Sequence, residues 1–198
     1  MKKKNFNIII TGVGGQGLIT ITKILAKAAL IDGFDVKTSE LHGLSQRGGS
    51  VETAIRFGPK VDSPLIRQGG ADLIISLELQ EALRACYYAS KDSKTMFLIN
   101  DFVKPIPGIK KPDKNQVLKQ LKGFSNKIAL VPATNICRKE LNKEVLAGIY
   151  LISLAVLKGL IPLKAFSVLK AAKKIVPDKY LELNLQTFQL AQSYTLSI

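Results

Sequence analysis

The feature that most constrains the fold is a glycine-rich turn between an apolar run and a helix-like segment. Phe6–Thr11 is typical of a buried parallel strand, and Gly12-Val13-Gly14-Gly15-Gln16-Gly17 follows it directly. Apolar residues then recur at helical spacing from Leu18 and stop at Asp32-Gly33, which is a suitable C-terminal cap. With a second strand predicted at Asp35–Glu40, the segment is a βαβ unit that opens an α/β fold.

The rest of the chain alternates predicted strands with predicted helices. Apolar runs predict further strands at Val51–Phe57 (antiparallel or at a sheet edge), Asp72–Leu77, Thr95–Asn100 and Ile128–Val131. Helical spacing predicts helices at Gln80–Tyr88, Gln116–Lys122, Asn135–Leu141, Val145–Leu157, Lys164–Val176 and Tyr180–Ser193. Residues 41–50, 58–70 and 104–112 are predicted loops.

This order of elements predicts a single doubly wound Rossmann-like α/β domain over residues 1–198. The sheet is expected to be mostly parallel, with helices on both faces and a helical C-terminal third. That helical third is expected to pack across one side of the sheet or onto a partner chain.

Composition limits the classes of protein to which the chain can belong. Hydrophobic residues make up 46% and charged residues 22%, as in ordinary globular proteins. The two cysteines, Cys86 and Cys137, are too few for a disulfide framework or for an iron–sulfur cluster within one chain, and we predict that both are buried. We find no transmembrane-length apolar stretch and no signal-peptide pattern, so we predict a cytoplasmic protein that does not bind a membrane. We also predict that this chain holds no metal of its own.

The formal net charge is +14. A basic surface attracts nucleic acid, an anionic membrane or an acidic partner. Base-reading proteins depend on arginine and on aromatic stacking, whereas this chain has five Arg and no Trp among many lysines. We therefore predict no nucleic-acid binding, and a basic interaction module remains an alternative.

The glycine-rich turn allows two interpretations. Gly12, Gly14 and Gly17 satisfy G-x-G-x-x-G between a strand and a helix, which is the context of a dinucleotide-binding turn. The candidate binding residues are Gly12, Gly14, Gly15, Gln16 and Gly17. Asp35 or Glu40 has suitable spacing to contact a ribose, so an NAD(P)-binding domain is an open alternative. The other interpretation is that the glycines only shape a tight turn.

A second loop leaves the carboxyl end of the predicted second strand, where ligands bind in doubly wound sheets. It contains the only histidine of the chain, an arginine and several glycines. The candidate residues are His42, Gln46, Arg47, Gly48, Gly49 and Ser50. Arg47 and the glycines that follow it suit an anion-binding concavity, while the alternative is a solvated loop. No acid–base pair with His42 is evident, so we predict no catalytic residue in this chain.

Together the two loops resemble a known family. Gly12–Gly17, Ser39–Gly43, Gln46–Val51, Ser63–Ile66 and Ala71–Leu73 resemble the gamma-type domain of 2-oxoacid:ferredoxin oxidoreductases. Residues 42–49 are most similar to the small (beta) subunit of the indolepyruvate:ferredoxin oxidoreductases, with Leu44 where methionine is more usual.

The resemblance implies a subunit that is inactive alone and supports oxidative decarboxylation of an aryl 2-oxoacid to an acyl-CoA, with electrons passed to ferredoxin. It implies that a larger partner subunit carries thiamine diphosphate, Mg²⁺ and [4Fe–4S] clusters, and that the 12–17 and 42–50 loops help position substrate or coenzyme A, or contact the partner. A pyruvate, 2-oxoisovalerate or 2-oxoglutarate enzyme is the alternative within the family. We expect an apolar surface near residues 42–50 or on the helical tail, and self-association when the partner is missing.

Overall fold

The sheet has six strands, and one of the six runs antiparallel to the others. The computed structural model describes residues 5–43, 48–90, 92, 94–105, 108 and 111–196. The strands are β1 (Phe6–Val13), β2 (Asp35–His42), β3 (Ser50–Gly58), β4 (Leu73–Ser76), β5 (Met96–Asn100) and β6 (Ile128–Val131). Their order across the sheet is β2-β3-β1-β4-β5-β6. The neighbouring pairs β1–β4, β4–β5 and β5–β6 are parallel, while β3 is antiparallel to both β1 and β2. The predicted fold class is confirmed.

Strand β3 corrects one detail of the prediction. It is antiparallel, as one alternative held, but the edge position was wrong because β3 lies between β1 and β2 and β2 forms the edge. The carboxyl end of β2 is therefore about 10 Å from that of β1, two strand spacings away. Strand β2 also continues to His42 and β3 begins at Ser50, so the predicted loop at 41–50 is shorter than expected.

The helices follow the predicted segments closely. They are α1 (Leu18–Ile31), α2 (Lys114–Lys122), α3 (Ala133–Leu141), α4 (Ala147–Leu157), α5 (Ala165–Ile175) and α6 (Leu181–Gln192). The helix predicted at Gln80–Tyr88 is instead a 3₁₀ helix at Glu81–Tyr88. Gly33 has a φ of +81° and caps α1, because its amide donates to Leu30 and that of Phe34 donates to Ala29.

Alternating strand residues form two cores on opposite faces of the sheet. Ile8 and Ile10 enter the larger core beneath α1, α4, α5 and α6, whereas Ile9 enters the smaller core beneath α2 and the 3₁₀ helix. In α4 every residue from Ala147 to Val156 is buried. The helical C-terminal third thus packs across the sheet of this chain. Among the described residues, no helix has the length and apolar character needed to cross a bilayer.

Candidate functional site at the carboxyl edge of the sheet

The glycine-rich turn lies where the chain changes direction across the sheet. From β1 the chain passes to β2 and β3 on one side, and it then returns to β4 on the other side. In open α/β sheets this switch point opens a crevice outside the carboxyl ends of the strands, and ligands bind there. The turn therefore has the position that the sequence predicts for a binding site.

The first glycine of the turn is required by packing within the chain. A Cβ on Gly12 would lie 2.7 Å from Oε1 of Gln16 and 3.1 Å from Cβ of Leu77. Gly17 caps the start of α1 with a φ of +81°, a left-handed conformation that glycine adopts without strain. These two glycines are explained by the turn itself.

Gln16 folds back into the crevice and meets a buried carboxylate. Its Oε1 accepts from the amide of Val13 at 2.9 Å, and its Nε2 donates to Oε1 of Glu78 at 2.9 Å. The other oxygen of Glu78 accepts from the amide of Lys104 at 3.3 Å. Glu78 is 5% exposed. Burial, together with the nearby charge of Glu81, raises the pKa of Glu78 above its ordinary value.

Sequence reasoning missed Glu78. The available signal was a glutamate placed directly after an apolar strand, at the edge where ligands bind in this fold class.

The two predicted loops are joined through their backbones. The amide of Gly14 donates to the carbonyl of Gly49 at 2.8 Å, and the amide of Gly48 donates to the carbonyl of Gly14 at 3.3 Å. Ser50 begins β3 and is paired with Val13 of β1. The structure thus brings the glycine-rich turn and the end of the second loop together. The candidate residues Gln46 and Arg47 lie outside the described residues.

The hydrogen bonds made by the amides of the glycine-rich turn help to compare its two interpretations, ligand binding and architecture. The amides of Val13, Gly14 and Gln16 all donate to acceptors within the chain. A diphosphate that bound these three amides would have to replace their hydrogen bonds within the chain. The architectural interpretation explains the turn as it stands. Phosphate binding and the NAD(P) alternative remain predictions.

His42 forms part of the wall of two cavities. The first, of about 430 Å³, lies between the start of α1 and β2, with Gly15, Glu40 and Val51 among its lining residues. The second, of about 390 Å³, contains Glu52 and Glu81 in its wall. His42 is exposed, and its Nδ1 lies 3.1 Å from the carbonyl oxygen of Gly43. A ligand or a partner can reach this ring from either cavity.

A third cavity, of about 230 Å³, lies on the other side of the turn. It is lined by Gln16, Asn100, Lys104, Thr134 and Val145, among others. Asn100 ends β5. Its side-chain Nδ2 donates to the carbonyl of Leu77 and to the hydroxyl of Thr134, and its Oδ1 accepts from the backbone amide of Thr134. Val145 is 56% exposed and also lines the first cavity. It is therefore an apolar projection between two cavities.

The cysteines do not suit an iron–sulfur cluster. Cys137 belongs to the larger core and Cys86 to the smaller core, on opposite faces of the sheet. Burial raises the pKa of Cys86 to about 11 and that of Cys137 to about 12. The two thiols cannot ligate one cluster. Within the described part of the chain, no group of three or more histidine, cysteine or acidic side chains is arranged to hold a metal ion.

Comparison with known proteins identifies the family. The family model for pyruvate ferredoxin/flavodoxin oxidoreductase matches residues 7–194. Indolepyruvate oxidoreductase subunit IorB of Archaeoglobus fulgidus is 32% identical over 200 residues, which cover 96% of each chain. The subunit of the same name from Pyrococcus horikoshii is 33% identical over 195 residues, 94% of each chain. The chain belongs to the pyruvate ferredoxin/flavodoxin oxidoreductase family, which confirms the resemblance carried by the two loops.

A solved structure agrees in fold. Pyruvate oxidoreductase subunit PORC of Thermotoga maritima superposes with a TM-score of 0.71 over 98% of this chain and 99% of that chain, at 23% identity. Both curated relatives and this structural neighbour are subunits of oxidoreductases.

Proposed function

We propose that this chain is a subunit of an indolepyruvate (aryl 2-oxoacid):ferredoxin oxidoreductase. The complex converts a 2-oxoacid to an acyl-CoA by oxidative decarboxylation and passes the electrons to ferredoxin. The observation that carries the proposal is the 32–33% identity, over 94–96% of both chains, to relatives named as indolepyruvate oxidoreductase subunits.

The proposed division of labour assigns the cofactors to a larger partner subunit. When bound there, thiamine diphosphate with Mg²⁺ supplies the decarboxylation chemistry, and [4Fe–4S] clusters supply electron transfer. The positions of Cys86 and Cys137 in separate cores support this assignment for the clusters. This chain contributes a preformed wall and no catalytic residue.

The wall is the carboxyl edge of the sheet. Because Gly14 is bonded to both Gly48 and Gly49, the glycine-rich turn and the end of the second loop form one continuous surface. Val145, and Leu41 at 68% exposure, place large apolar side chains on or beside it. Exposed apolar side chains around cavities are typical of interaction surfaces. We propose that this edge faces the partner subunit and helps position the substrate or coenzyme A.

Co-expression with a larger subunit that binds thiamine diphosphate and iron–sulfur clusters tests the assignment. The purified complex is expected to reduce a viologen dye with indolepyruvate in a reaction that requires coenzyme A, and this chain alone is expected to be inactive. Pyruvate, 2-oxoisovalerate and 2-oxoglutarate serve as competing substrates. Activity of this chain alone would contradict its role as a subunit without cofactors, and a clear preference for pyruvate would move the complex to another branch of the family.

The role of the wall is tested separately with His42→Ala. We expect the KM for coenzyme A or for the 2-oxoacid to rise several-fold, with kcat within about twofold, because a contact that binds ground and transition states alike affects KM. Thr38→Ala is the matched control, since Thr38 is exposed on the same strand. An unchanged KM for both ligands would remove His42 from the binding site but leave the subunit assignment intact.

A further inference from the structure

Helices α1 and α5 form a surface that the proposed function does not use. They lie side by side and antiparallel. Asp32, after α1, accepts from the amide of Lys164 at 2.8 Å and from Oγ of Ser167 at 2.6 Å, at the start of α5. At their other ends, Gly17 and Val176 line a common cleft. We call the solvent side of this helix pair the α1–α5 face.

The α1–α5 face is positively charged, and the acidic residue at one end of it, Asp32, is hydrogen-bonded to the start of α5. Neither helix contains an aspartate or a glutamate. The lysines of the two helices are Lys23, Lys27, Lys170, Lys173 and Lys174. Within the described part of the chain, none of them forms an ion pair with a carboxylate.

Charge is therefore unevenly distributed over the molecule. The cavities at the carboxyl edge of the sheet contain both signs of charge, since Glu40, Glu52, Glu81 and Glu144 line them together with Arg84 and Lys104. The two helices of the α1–α5 face carry lysines and no carboxylate. A surface of one sign attracts and orients a partner of the opposite sign.

The same face exposes two large apolar side chains at one end. Leu30, in the last turn of α1, is 55% exposed, and Phe166, in the first turn of α5, is 70% exposed. The bonds from Asp32 to α5 bring these two ends together. Nζ of Lys170 lies 6.0 Å from the centre of the Phe166 ring. An exposed aromatic side chain can anchor a protein partner, and a positive patch beside it steers a negatively charged partner toward it.

We propose that the α1–α5 face is a docking site for an acidic protein that binds and leaves. A permanent interface would bury lysines for which this chain supplies no counter-charge, at a large cost in desolvation. A transient complex keeps these charges partly solvated and uses them to accelerate association. A bilayer suits the face less well, because both helices turn their apolar sides into the core and only Leu30 and Phe166 are available to insert.

The test uses the full chain and fluorescein-labelled poly-L-glutamate, whose binding is followed by fluorescence anisotropy at low salt. The variant K170Q/K173Q/K174Q is expected to bind roughly tenfold more weakly, and the affinity of the wild type is expected to fall steeply with salt. The matched control is K119Q/K122Q/K127Q, which removes the same charge from exposed lysines on and after α2. The control is expected to stay within about twofold of the wild type.

Three results would overturn the proposal. Equal weakening in both triple variants would show that only net charge matters. Tight binding to phosphatidylglycerol vesicles, lost in the α5 variant while poly-L-glutamate binding is not, would identify a membrane surface. Loss of poly-L-glutamate binding when the larger subunit is present would place the face inside the complex. Because the first measurement needs only this chain, its outcome is independent of whether the proposed oxidoreductase assembles.

Discussion

Gln16 and Glu78 are 62 positions apart in the chain, and the side-chain amide of Gln16 donates to the carboxylate of Glu78 at 2.9 Å. The same Gln16 side chain accepts from the amide of Val13. One residue therefore closes the glycine-rich turn and fastens it to the segment after β4. The side chain of Gln16 thus occupies the part of the crevice between the turn and Glu78.

Replacing Gln16 should destabilise the fold. In Gln16→Ala, the amide of Val13 and Oε1 of Glu78 both lose their hydrogen-bond partners. We expect the free energy of unfolding to fall by about 1–3 kcal/mol, the usual cost of leaving buried polar groups unsatisfied. Urea denaturation measures it, with Gln120→Ala on the exposed surface of α2 as the control. An equal loss in the free energy of unfolding for both variants would show that the hydrogen bonds of Gln16 do not stabilise the fold.

The buried carboxylate of Glu78 should make stability depend on pH. Burial raises its pKa in the folded state. At low pH both states are protonated and the group has no effect. As the pH rises past the ordinary glutamate pKa, the unfolded state ionises first, so the free energy of unfolding falls until the pH passes the raised folded pKa.

Comparing the wild type with Glu78→Gln isolates this effect. The wild type should be most stable relative to the variant at about pH 4 or below, and this advantage should shrink as the pH rises above the ordinary glutamate pKa. Urea denaturation across this range measures the difference. Glu140→Gln is the control, because Glu140 is exposed. A difference between wild type and Glu78→Gln that stays constant with pH would show that the pKa of Glu78 is not raised.

Val145 should contribute to assembly rather than to folding. Because Val145 is largely exposed between two cavities, Val145→Asp should leave the thermal unfolding temperature nearly unchanged. If the carboxyl edge faces the larger subunit, the buried charge should weaken the complex by roughly tenfold or more. Calorimetric titration of the two subunits measures the affinity. Leu65→Asp is the control at an exposed apolar side chain elsewhere, and equal affinity in both variants would place the interface elsewhere.

The two cysteines should be unreactive in the folded protein. Both are buried, with a pKa of about 11 for Cys86 and about 12 for Cys137. Their thiols should therefore remain protonated and shielded at about pH 8. Ellman's reagent is expected to react with neither cysteine in buffer and with both in denaturant. Rapid reaction of either thiol in buffer would contradict the core positions.

Several local features were predictable because they depend on neighbouring residues. The helix stop at Asp32-Gly33 follows from the conformational freedom of glycine, and the observed φ of +81° at Gly33 agrees with it. The glycine-rich turn lies between β1 and α1 at the carboxyl edge of the sheet, as predicted, while its role as a binding site stays a prediction. The two loop motifs together were specific enough to indicate the family.

The sequence by itself determined the alternation of strands and helices, the glycine-rich turn and the resemblance of its two loops to a family. Only the tertiary structure decided that β3 lies between β1 and β2 and that Gly14 bonds to Gly48 and Gly49. It alone also revealed the bond between Gln16 and Glu78. The physical reason is that helical spacing and turn chemistry are encoded over a few residues, whereas strand neighbours and buried polar pairs depend on residues distant in the chain.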